Sequence, residues 1–341
     1  MSSAWNPHNP LEVRQVEWDQ PPPPQRLEIR EDHSKGILTR NDSPDLPFRW
    51  SLNPYRGCTH ACAYCYARRY HEFLGMGAGS DFERRITIKP RAAELLEAEF
   101  LRQRWKGERI AFSGVTDCYQ PLERKYALTR ACLQVAARYR NPVAIITRSP
   151  LVVRDADILV ELNRHCAVSV NVSLPLLDPE LCRALEPGAP GPQARLDAIS
   201  ALSEVGVPVG VSVSPVIPGL SDRALPETLR QAREAGARWA WMMLLRLPGS
   251  VEAVFERRLA EALPLRVDAV MARLRRSRGG RTNDTRFGDR RRGQDESWRV
   301  VEQLFELWHR RLGFEVRPPV PATTPFRRPG QGRQVDLFGA P

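Results

Sequence analysis

The chain has 341 residues, with 51 lysines and arginines against 40 aspartates and glutamates, so its formal net charge is +11. A composition that is 42% hydrophobic and 27% charged is typical of a globular protein and excludes a chain that is disordered throughout. No stretch approaches the roughly 18 consecutive apolar residues of a membrane-spanning helix, and the N-terminus lacks the pattern of a secretory signal. We therefore expect a cytoplasmic protein with no membrane partner and with reduced cysteines.

The two ends of the chain have compositions that disfavour a packed core. Residues 1–45 are polar and contain the proline run 21–24, which predicts a flexible N-terminal arm. Residues 317–341 are rich in proline and show no helical periodicity, which predicts a disordered tail. We expect a barrel domain over 46–274, and a basic segment with a C-terminal helix over 275–316.

Short apolar segments alternate with longer amphipathic segments within the barrel domain. The segments predicted as strands are 48–54, 109–115, 143–149, 167–173, 207–214 and 238–245. The segments predicted as helices are 90–104, 122–139, 154–165, 192–205, 224–235 and 250–274. A helix after each strand favours parallel pairing, because parallel strands need a crossover connection. The sequence therefore predicts an α/β fold, an open or partial (β/α)6 barrel, with ligands at the carboxyl ends of its strands.

Three of the seven cysteines follow the first predicted strand in a CxxxCxxC pattern, at Cys58, Cys62 and Cys65. Three thiolates on one short loop can bind three irons of a [4Fe–4S] cluster and leave the fourth iron without a protein thiolate. Such an open iron suits a cluster that activates a substrate. A zinc site is the main alternative, with His60 or His71 as the fourth ligand. Three buried cysteines without a chemical role are a weaker alternative.

This motif, with Tyr64 directly before its last cysteine, resembles that of the radical S-adenosylmethionine (SAM) enzymes. The resemblance covers roughly residues 48–265 and is greatest to the spore photoproduct lyase-like branch, also described as DNA repair photolyase-like. The segments that carry it are 53–68, 113–123, 145–150, 169–187, 195–209 and 214–222. The resemblance implies a partial barrel of the radical SAM type, a [4Fe–4S] cluster, and reductive cleavage of SAM to methionine and a 5′-deoxyadenosyl radical.

The resemblance also implies where SAM is bound. Residues Ser113 to Asp117 occupy the place of a Gly-Gly-Glu motif that receives the methionine amino group in many radical SAM enzymes. Arg195 is placed to pair with the methionine carboxylate, and Ser173 to bond the carboxylate or the ribose. Each of these side chains also suits a helix cap or a surface contact. The implied SAM-binding residues are Tyr64, Ser113, Gly114, Thr116, Asp117, Ser173, Arg195 and Pro215.

Cys118 lies in the loop that carries a hydrogen-donating cysteine in spore photoproduct lyase, although the family's position aligns near Gly114. Hydrogen donation by Cys118 is a hypothesis that requires the second predicted strand to end near residue 115. Inert packing is the alternative. The other three cysteines, Cys132, Cys166 and Cys182, are predicted to lie in the core.

The positive charge is concentrated after the barrel domain. Eight arginines and two aspartates between Arg275 and Arg292 give this segment a net charge of +6. The guanidinium group matches phosphate geometry, and a basic cluster is typical of nucleic-acid binding. We therefore predict that Arg275–Arg292 contacts DNA or another nucleic acid, with a solvated surface loop as the alternative.

The sequence QVDLF near the C-terminus resembles the short peptide by which bacterial replication and repair proteins dock on the DNA sliding clamp. Leu337 and Phe338 would fill an apolar pocket, and Gln334 would form a hydrogen bond beside it. A chance apolar pair in a polar tail is the alternative. Reduction of the cluster also implies an electron donor of the flavodoxin or ferredoxin type.

These patterns lead to one main interpretation and two alternatives. The main interpretation is a radical SAM enzyme, lyase-like or repair-like, that acts on DNA or another nucleic acid. The first alternative is an iron–sulfur protein that binds nucleic acid without radical catalysis. The second is a radical SAM enzyme with a small-molecule or protein substrate.

Overall fold

A computed structural model of the protein describes residues 4–12, 25–316 and 324–329. The strands are β1 Glu28–Glu31, β2 Leu38–Arg40, β3 Trp50–Leu52, β4 Tyr55–Arg56, β5 Arg85–Ile88, β6 Ile110–Phe112, β7 Val143–Thr147, β8 Val168–Ser173, β9 Val209–Val216 and β10 Ala240–Leu244. The helices are α1 Arg69–Glu72, α2 Ser80–Arg84, α3 Ala92–Leu101, α4 Glu123–Tyr126, α5 Leu128–Arg138, α6 Ala156–Asn163, α7 Pro179–Leu185, α8 Pro192–Glu204, α9 Leu225–Glu234, α10 Val251–Ala262, α11 Val267–Ser277 and α12 Glu296–Arg311.

The main sheet has seven strands in the order β10-β9-β8-β7-β6-β3-β2. Six of its strands pair in parallel, namely β3, β6, β7, β8, β9 and β10. β2 pairs with β3 in the antiparallel direction. Because β10 and β2 lie at opposite edges of this sheet, the barrel is open. The predicted α/β fold and partial (β/α)6 barrel are confirmed, and each of the six parallel strands lies where a strand was predicted.

Two predicted helices are each divided in two. The segment 122–139 forms α4 and α5, which meet at Ala127, whose φ of 51° interrupts the helix. The carboxylate of Glu123 accepts hydrogen bonds from the backbone N–H groups of Thr129 and Arg130, so it caps the first turn of α5. The segment 250–274 forms α10 and α11, which are separated by a turn that begins at Pro264.

The N-terminal segment is part of the folded structure, so the predicted core-free arm is wrong for its described residues. β1 pairs in parallel with β5 in a small sheet of order β1-β5-β4, and β2 extends the main sheet. Upstream, the side chain of Asn6 accepts hydrogen bonds from the backbone of Gly79 and Asp81, both at 3.1 Å. Short edge strands are stabilised by backbone hydrogen bonds and need few apolar side chains, so composition alone did not reveal them.

The two faces of the main sheet differ in chemistry. Along β8, Val168, Val170 and Val172 belong to the hydrophobic core, whereas Ser169, Asn171 and Ser173 alternate with them on the other face. Asn171 accepts hydrogen bonds from the indole N–H groups of Trp239 and Trp241, at 2.9 and 3.1 Å. The inner face of the barrel is therefore lined with small and polar side chains.

Residues 324–329 pack against the barrel, at the C-terminal ends of α3 and α5. The ring of Phe326 lies 5.6 Å from that of Phe100 and 6.1 Å from that of Tyr139. The guanidinium of Arg328 donates to the carbonyl groups of Phe100, Arg102 and Trp105. The predicted clamp-binding residues Gln334, Leu337 and Phe338 lie outside the described residues.

None of the helices in the described parts of the chain combines the length and the apolar character needed to span a membrane.

Candidate metal centre

The loop with the three clustered cysteines follows β3 at the carboxyl edge of the parallel strands. Its backbone is held by hydrogen bonds from Cys58 N to Phe82 O, at 2.9 Å, and from Cys65 N to Cys62 O, at 3.2 Å. Cys58 and Cys62 are buried and Cys65 is partly exposed, and all three are free thiols. The loop thus presents three thiols at the edge where the inner face of the barrel opens.

Both histidines considered as zinc ligands lie beside other groups, and His60 also contacts the Cys58 thiol. His71 Nε2 lies 3.0 Å from the carbonyl oxygen of Arg85, and His60 Nδ1 lies 3.5 Å from Asp117 Oδ2. Among the described residues, no three His, Cys, Asp or Glu side chains converge on a position for a single metal ion. In an iron–sulfur cluster each thiolate binds a different iron, so the thiols need not converge on one point. The geometry therefore favours a cluster over zinc.

The three thiols differ in their electrostatic surroundings. Burial raises the pKa of Cys58, but the contact with His60 outweighs burial, so the net shift is downward. Burial raises the pKa of Cys62 and of Cys65. Arg148 Nη1 lies 2.8 Å from Cys62 Sγ and provides a positive charge and a hydrogen-bond donor for that sulfur. Because metal ligands are thiolates, this donor stabilises the ligand form of Cys62.

Asp117 and Thr116 connect the cysteine loop to the neighbouring strands. Asp117 accepts hydrogen bonds from the Thr147 hydroxyl, at 2.6 Å, and from Arg148 N, at 2.9 Å. Burial opposes ionisation of Asp117, but these hydrogen bonds and His60 hold its pKa at about 2. The hydroxyl of Thr116 donates to the carbonyl of Gly57 at 2.7 Å. Both side chains therefore support the loop, and this geometry does not favour their predicted contact with the SAM amino group.

A buried cluster of charged groups lies behind the thiols. Glu186 accepts a hydrogen bond from Arg148 Nη1 at 2.7 Å, and it also contacts the hydroxyl of Tyr64 and the guanidinium of Arg195. Arg195 is fully buried and also donates to the carbonyl groups of Ser173 and Pro190. The donors of Arg195 thus bind protein groups, and this geometry does not favour the predicted pairing of Arg195 with the methionine carboxylate.

Arg148 and Glu186 were not singled out from the sequence. Arg148 directly follows β7 at the carboxyl edge of the sheet, a position that predicts a functional side chain. Glu186 follows α7 and carries no comparable signal, because only the fold brings it to Arg148.

The family model of the radical SAM superfamily matches residues 52–232, more than half of the chain. The chain belongs to the radical SAM superfamily. Proteins of this family use a [4Fe–4S] cluster and SAM.

Relatives of this radical SAM protein occur in bacteria and archaea. The chain is 41% identical over 221 residues to an uncharacterized protein of Mycobacterium tuberculosis, a match that covers 64% of this chain and 65% of the relative. It is 30% identical over 174 residues to an uncharacterized protein of Methanocaldococcus jannaschii, covering 51% of this chain and 62% of the relative. These matches span less than two thirds of each relative's length.

Solved structures of spore photoproduct lyase are similar in fold. The lyase complexed with a dinucleoside spore photoproduct aligns with a TM-score of 0.61 at 15% identity, covering 84% of this chain and 80% of the lyase. A mutant of the lyase with bound AdoMet and the same dinucleoside aligns with a TM-score of 0.61 at 14% identity, covering the same shares of the two chains. At such identities the likeness shows the fold alone.

The described residues of this radical SAM protein fit the two cofactors of its family. Three free thiols on one loop match the donor set of a cluster with one open iron. The buried hydroxyl oxygen of Ser214, near the carboxyl end of β9, has no hydrogen-bond partner among the described residues. Unpaired buried polar atoms are costly, so a polar ligand at this end of the barrel would stabilise it. Pro215 adjoins Ser214 on β9, near the end of that strand.

The loop after β6 is shaped by local hydrogen bonds. Ser113 has a φ of 137°, and its hydroxyl donates to the carbonyl of Thr116 at 2.9 Å. The carbonyl of Gly114 accepts a hydrogen bond from the hydroxyl of Tyr66 at 2.7 Å. Ser113 and Gly114 therefore lie beside the cysteine loop, and their contact with SAM stays a prediction.

The structure does not favour the hydrogen-donor hypothesis for Cys118, which stays a prediction. β6 ends at Phe112, earlier than the hypothesis required, and the chain then turns so that Cys118 is fully buried. Its thiol lies 3.6 Å from the carbonyl oxygen of Phe112, within the hydrophobic core. A fully enclosed thiol has no contact with a substrate at the mouth of the barrel. The predictions for Cys132, Cys166 and Cys182 are confirmed, because all three belong to the same core.

Some arginines of the basic segment bind other groups of the protein, and others are exposed to solvent. Arg275 pairs with Glu252 and Glu256, at 3.1 and 3.0 Å, and Arg290 pairs with Asp45. Arg278 is buried and donates to the carbonyl groups that end β10. The arginines of this segment that are exposed and have no ion-pair partner among the described residues are Arg276, Arg281 and Arg292. Part of the net charge thus stabilises the fold, and part faces solvent.

His71 makes the stability of the apo protein sensitive to acid. Burial lowers its pKa from 6.5 to about 4, so between these values the folded protein binds fewer protons than the unfolded chain. The stability that neutral His71 contributes is present above pH 6.5 and is lost as the pH falls toward 4, by up to about 3 kcal/mol. Urea unfolding at pH values above and below this window measures the loss. His71→Gln, which does not titrate, should show a shallower decline, and an identical decline in both proteins would contradict the assignment.

Proposed function

We propose that this radical SAM protein is an enzyme that binds a [4Fe–4S] cluster through Cys58, Cys62 and Cys65 and uses SAM to act on DNA or another nucleic acid. The observation that carries this proposal is the loop of three free thiols at the opening of a polar inner barrel face. When bound, the cluster and SAM supply a 5′-deoxyadenosyl radical through one-electron reduction. SAM is proposed to contact Ser113, Gly114 and Ser173 and the segment around Pro215.

The protein's own residues hold and shield this site. Arg148 donates to Cys62 Sγ, and Glu186 accepts from the same guanidinium nitrogen, which fixes the donor in place. Asp117 binds the backbone of Arg148 and thereby ties the cysteine loop to β7. The hydroxyl of the buried Tyr64 contacts both Arg148 and Glu186. These contacts orient the metal ligands before any substrate arrives.

Two observations support nucleic acid as the substrate class. Spore photoproduct lyase, which shares this fold, has been solved with a dinucleoside photoproduct. The exposed arginines Arg276, Arg281 and Arg292 provide charge complementary to a phosphate backbone. A sliding clamp bound at Gln334, Leu337 and Phe338, and a flavodoxin-type or ferredoxin-type electron donor, complete the proposal.

Anaerobic reconstitution with iron and sulfide, followed by reduction and addition of SAM, tests the enzymatic activity. We expect 5′-deoxyadenosine to form, and DNA oligonucleotides to change its yield. Cys166→Ala should form as much 5′-deoxyadenosine as the wild type, because this cysteine lies in the core away from the loop. Absence of 5′-deoxyadenosine with an intact cluster would contradict catalysis and favour an iron–sulfur protein that only binds nucleic acid.

A further inference from the structure

Exposed aromatic rings are concentrated beside the cysteine loop. Tyr66, Tyr70 and Phe73 are 38%, 45% and 61% exposed, and they occupy one short segment that begins directly after Cys65. Phe287, in the middle of the basic segment, is 57% exposed. Large exposed rings that cluster at one place are typical of a binding surface.

These rings form three pairs, two of which include an arginine. The ring centroids of Tyr70 and Phe73 are 6.4 Å apart, and the guanidinium of Arg246 lies 5.2 Å from the ring of Tyr66. At the other end, the guanidinium of Arg290 lies 4.9 Å from the ring of Phe287. We define the aromatic–arginine row as Phe73, Tyr70, Tyr66, Arg246, Arg290 and Phe287.

A contact between the basic segment and β10 connects the two halves of the row. Arg291, next to Arg290, places its Nε 3.2 Å from Met243 Sδ on β10, three residues before Arg246. The hydroxyl of Tyr66 bonds to the carbonyl of Gly114 at the end of β6, so the row crosses the mouth of the barrel.

We propose that the aromatic–arginine row binds the unpaired bases of a single-stranded or locally unpaired nucleic acid, an inference that rests on the proposed function. Every base has a face that stacks on an aromatic ring, and arginines track the phosphates of a single strand. The bases of an intact duplex are stacked on each other and cannot reach these rings without being extruded. The row therefore favours a strand whose bases are already accessible.

The positive charges around the row favour nucleic acid as the ligand of this surface. Asp45, from the N-terminal segment, forms an ion pair with Arg290 through its carboxylate, and its backbone carbonyl accepts a hydrogen bond from Arg291. Arg246 lies within the row, and the exposed Arg69 and Arg292 flank it. Rings surrounded by an excess of cations suit bases joined by phosphates. A docking site for an acidic electron donor is the other outcome that the experiment must detect.

Fluorescence anisotropy with labelled oligonucleotides tests this proposal on the reconstituted full-length protein at fixed salt. We expect a single strand to bind more tightly than a duplex of the same sequence. The double variant Tyr70→Ala/Phe73→Ala should lose about tenfold in single-strand affinity for each stacked base and change duplex binding little. The matched control is Leu101→Ala/Val205→Ala, which removes two exposed apolar side chains from the ends of outer helices.

Arg292→Ala distinguishes phosphate contacts from stacking. This change should weaken single-strand and duplex binding alike. It should also lower by about one the magnitude of the slope of the logarithm of the binding constant against the logarithm of the salt concentration, whereas loss of the rings should leave that slope unchanged. Equal single-strand affinity in the wild type and in Tyr70→Ala/Phe73→Ala would overturn the proposal. Slower cluster reduction by flavodoxin with unchanged single-strand binding would assign the row to the electron donor and would also overturn it.

Failure of this inference is separable from failure of the proposed function. Tyr70 and Phe73 lie outside the metal-binding loop, so formation of 5′-deoxyadenosine without nucleic acid should be unchanged in the double variant. If 5′-deoxyadenosine forms but the row does not affect strand binding, the enzymatic proposal stands and the inference is wrong. If strands bind through the row but no 5′-deoxyadenosine forms, the inference stands and the enzymatic proposal is wrong.

Discussion

Cys62→Ala is expected to abolish binding of the iron–sulfur cluster, whereas Cys118→Ala is expected to leave the cluster intact. Cys62 lies on the loop of three free thiols, and its sulfur is the one contacted by Arg148 at 2.8 Å. Two remaining thiolates are too few to hold a cluster that already lacks a fourth protein ligand. Iron and sulfide content after anaerobic reconstitution, with the electron paramagnetic resonance spectrum of the reduced protein, measures the difference.

Cys118→Ala is the matched control because it removes a buried thiol from a different environment. Cys118 is fully enclosed in the core, so the change should cost about 1–2 kcal/mol in the free energy of unfolding and leave the products of SAM cleavage unchanged. A full cluster in Cys62→Ala would contradict the assignment of the metal ligands. A changed product ratio in Cys118→Ala, with a full cluster, would restore the hydrogen-donor role that the structure argues against.

Glu186→Gln is expected to destabilise the protein by about 3–5 kcal/mol, because it leaves two arginines near each other without their shared carboxylate. Glu186 and Arg195 are fully buried, and Arg148 is largely so. Guanidinium groups stay protonated, so neither arginine can avoid the cost by losing its proton. Urea unfolding of the apo protein measures this loss without contributions from the cofactors.

An exposed ion pair provides the comparison for Glu186. Glu227 on α9 pairs with Arg230 at the surface, and Glu227→Gln should change the free energy of unfolding far less than Glu186→Gln does. Similar small losses in both variants would show that Arg148 and Arg195 find other partners, and would contradict the central role of Glu186. A large loss confined to Glu186→Gln would support it.

Features that depend on local pattern were predictable from the sequence. The six parallel strands were predicted because each is an apolar segment followed by an amphipathic one, and the cysteine loop because its ligands are close in the chain. Edge strands such as β1 were not predicted, since backbone pairing to β5 is invisible in a polar segment such as Glu28–Glu31.

Features that depend on contacts between distant residues were predicted poorly. Arg195 has the charge expected of a carboxylate ligand, but the fold supplies Glu186 as its carboxylate. The orientation of Cys118 depended on where β6 ends, and strand ends shift with tertiary packing. Sequence pattern therefore located the candidate site, and only the fold showed which side chains are free to act there.

The packing of Phe326 determines from which side of the molecule the chain end departs. Phe326 and Arg328 are fastened where α3 and α5 end, which is the side of the barrel opposite the cysteine loop. Four residues separate Pro329 from Gln334, so the chain between their Cα atoms has a contour length of at most about 18 Å. A protein bound to the QVDLF peptide would therefore lie on the side of the barrel away from the cysteine loop. The opening of the barrel would then stay accessible to a nucleic-acid strand.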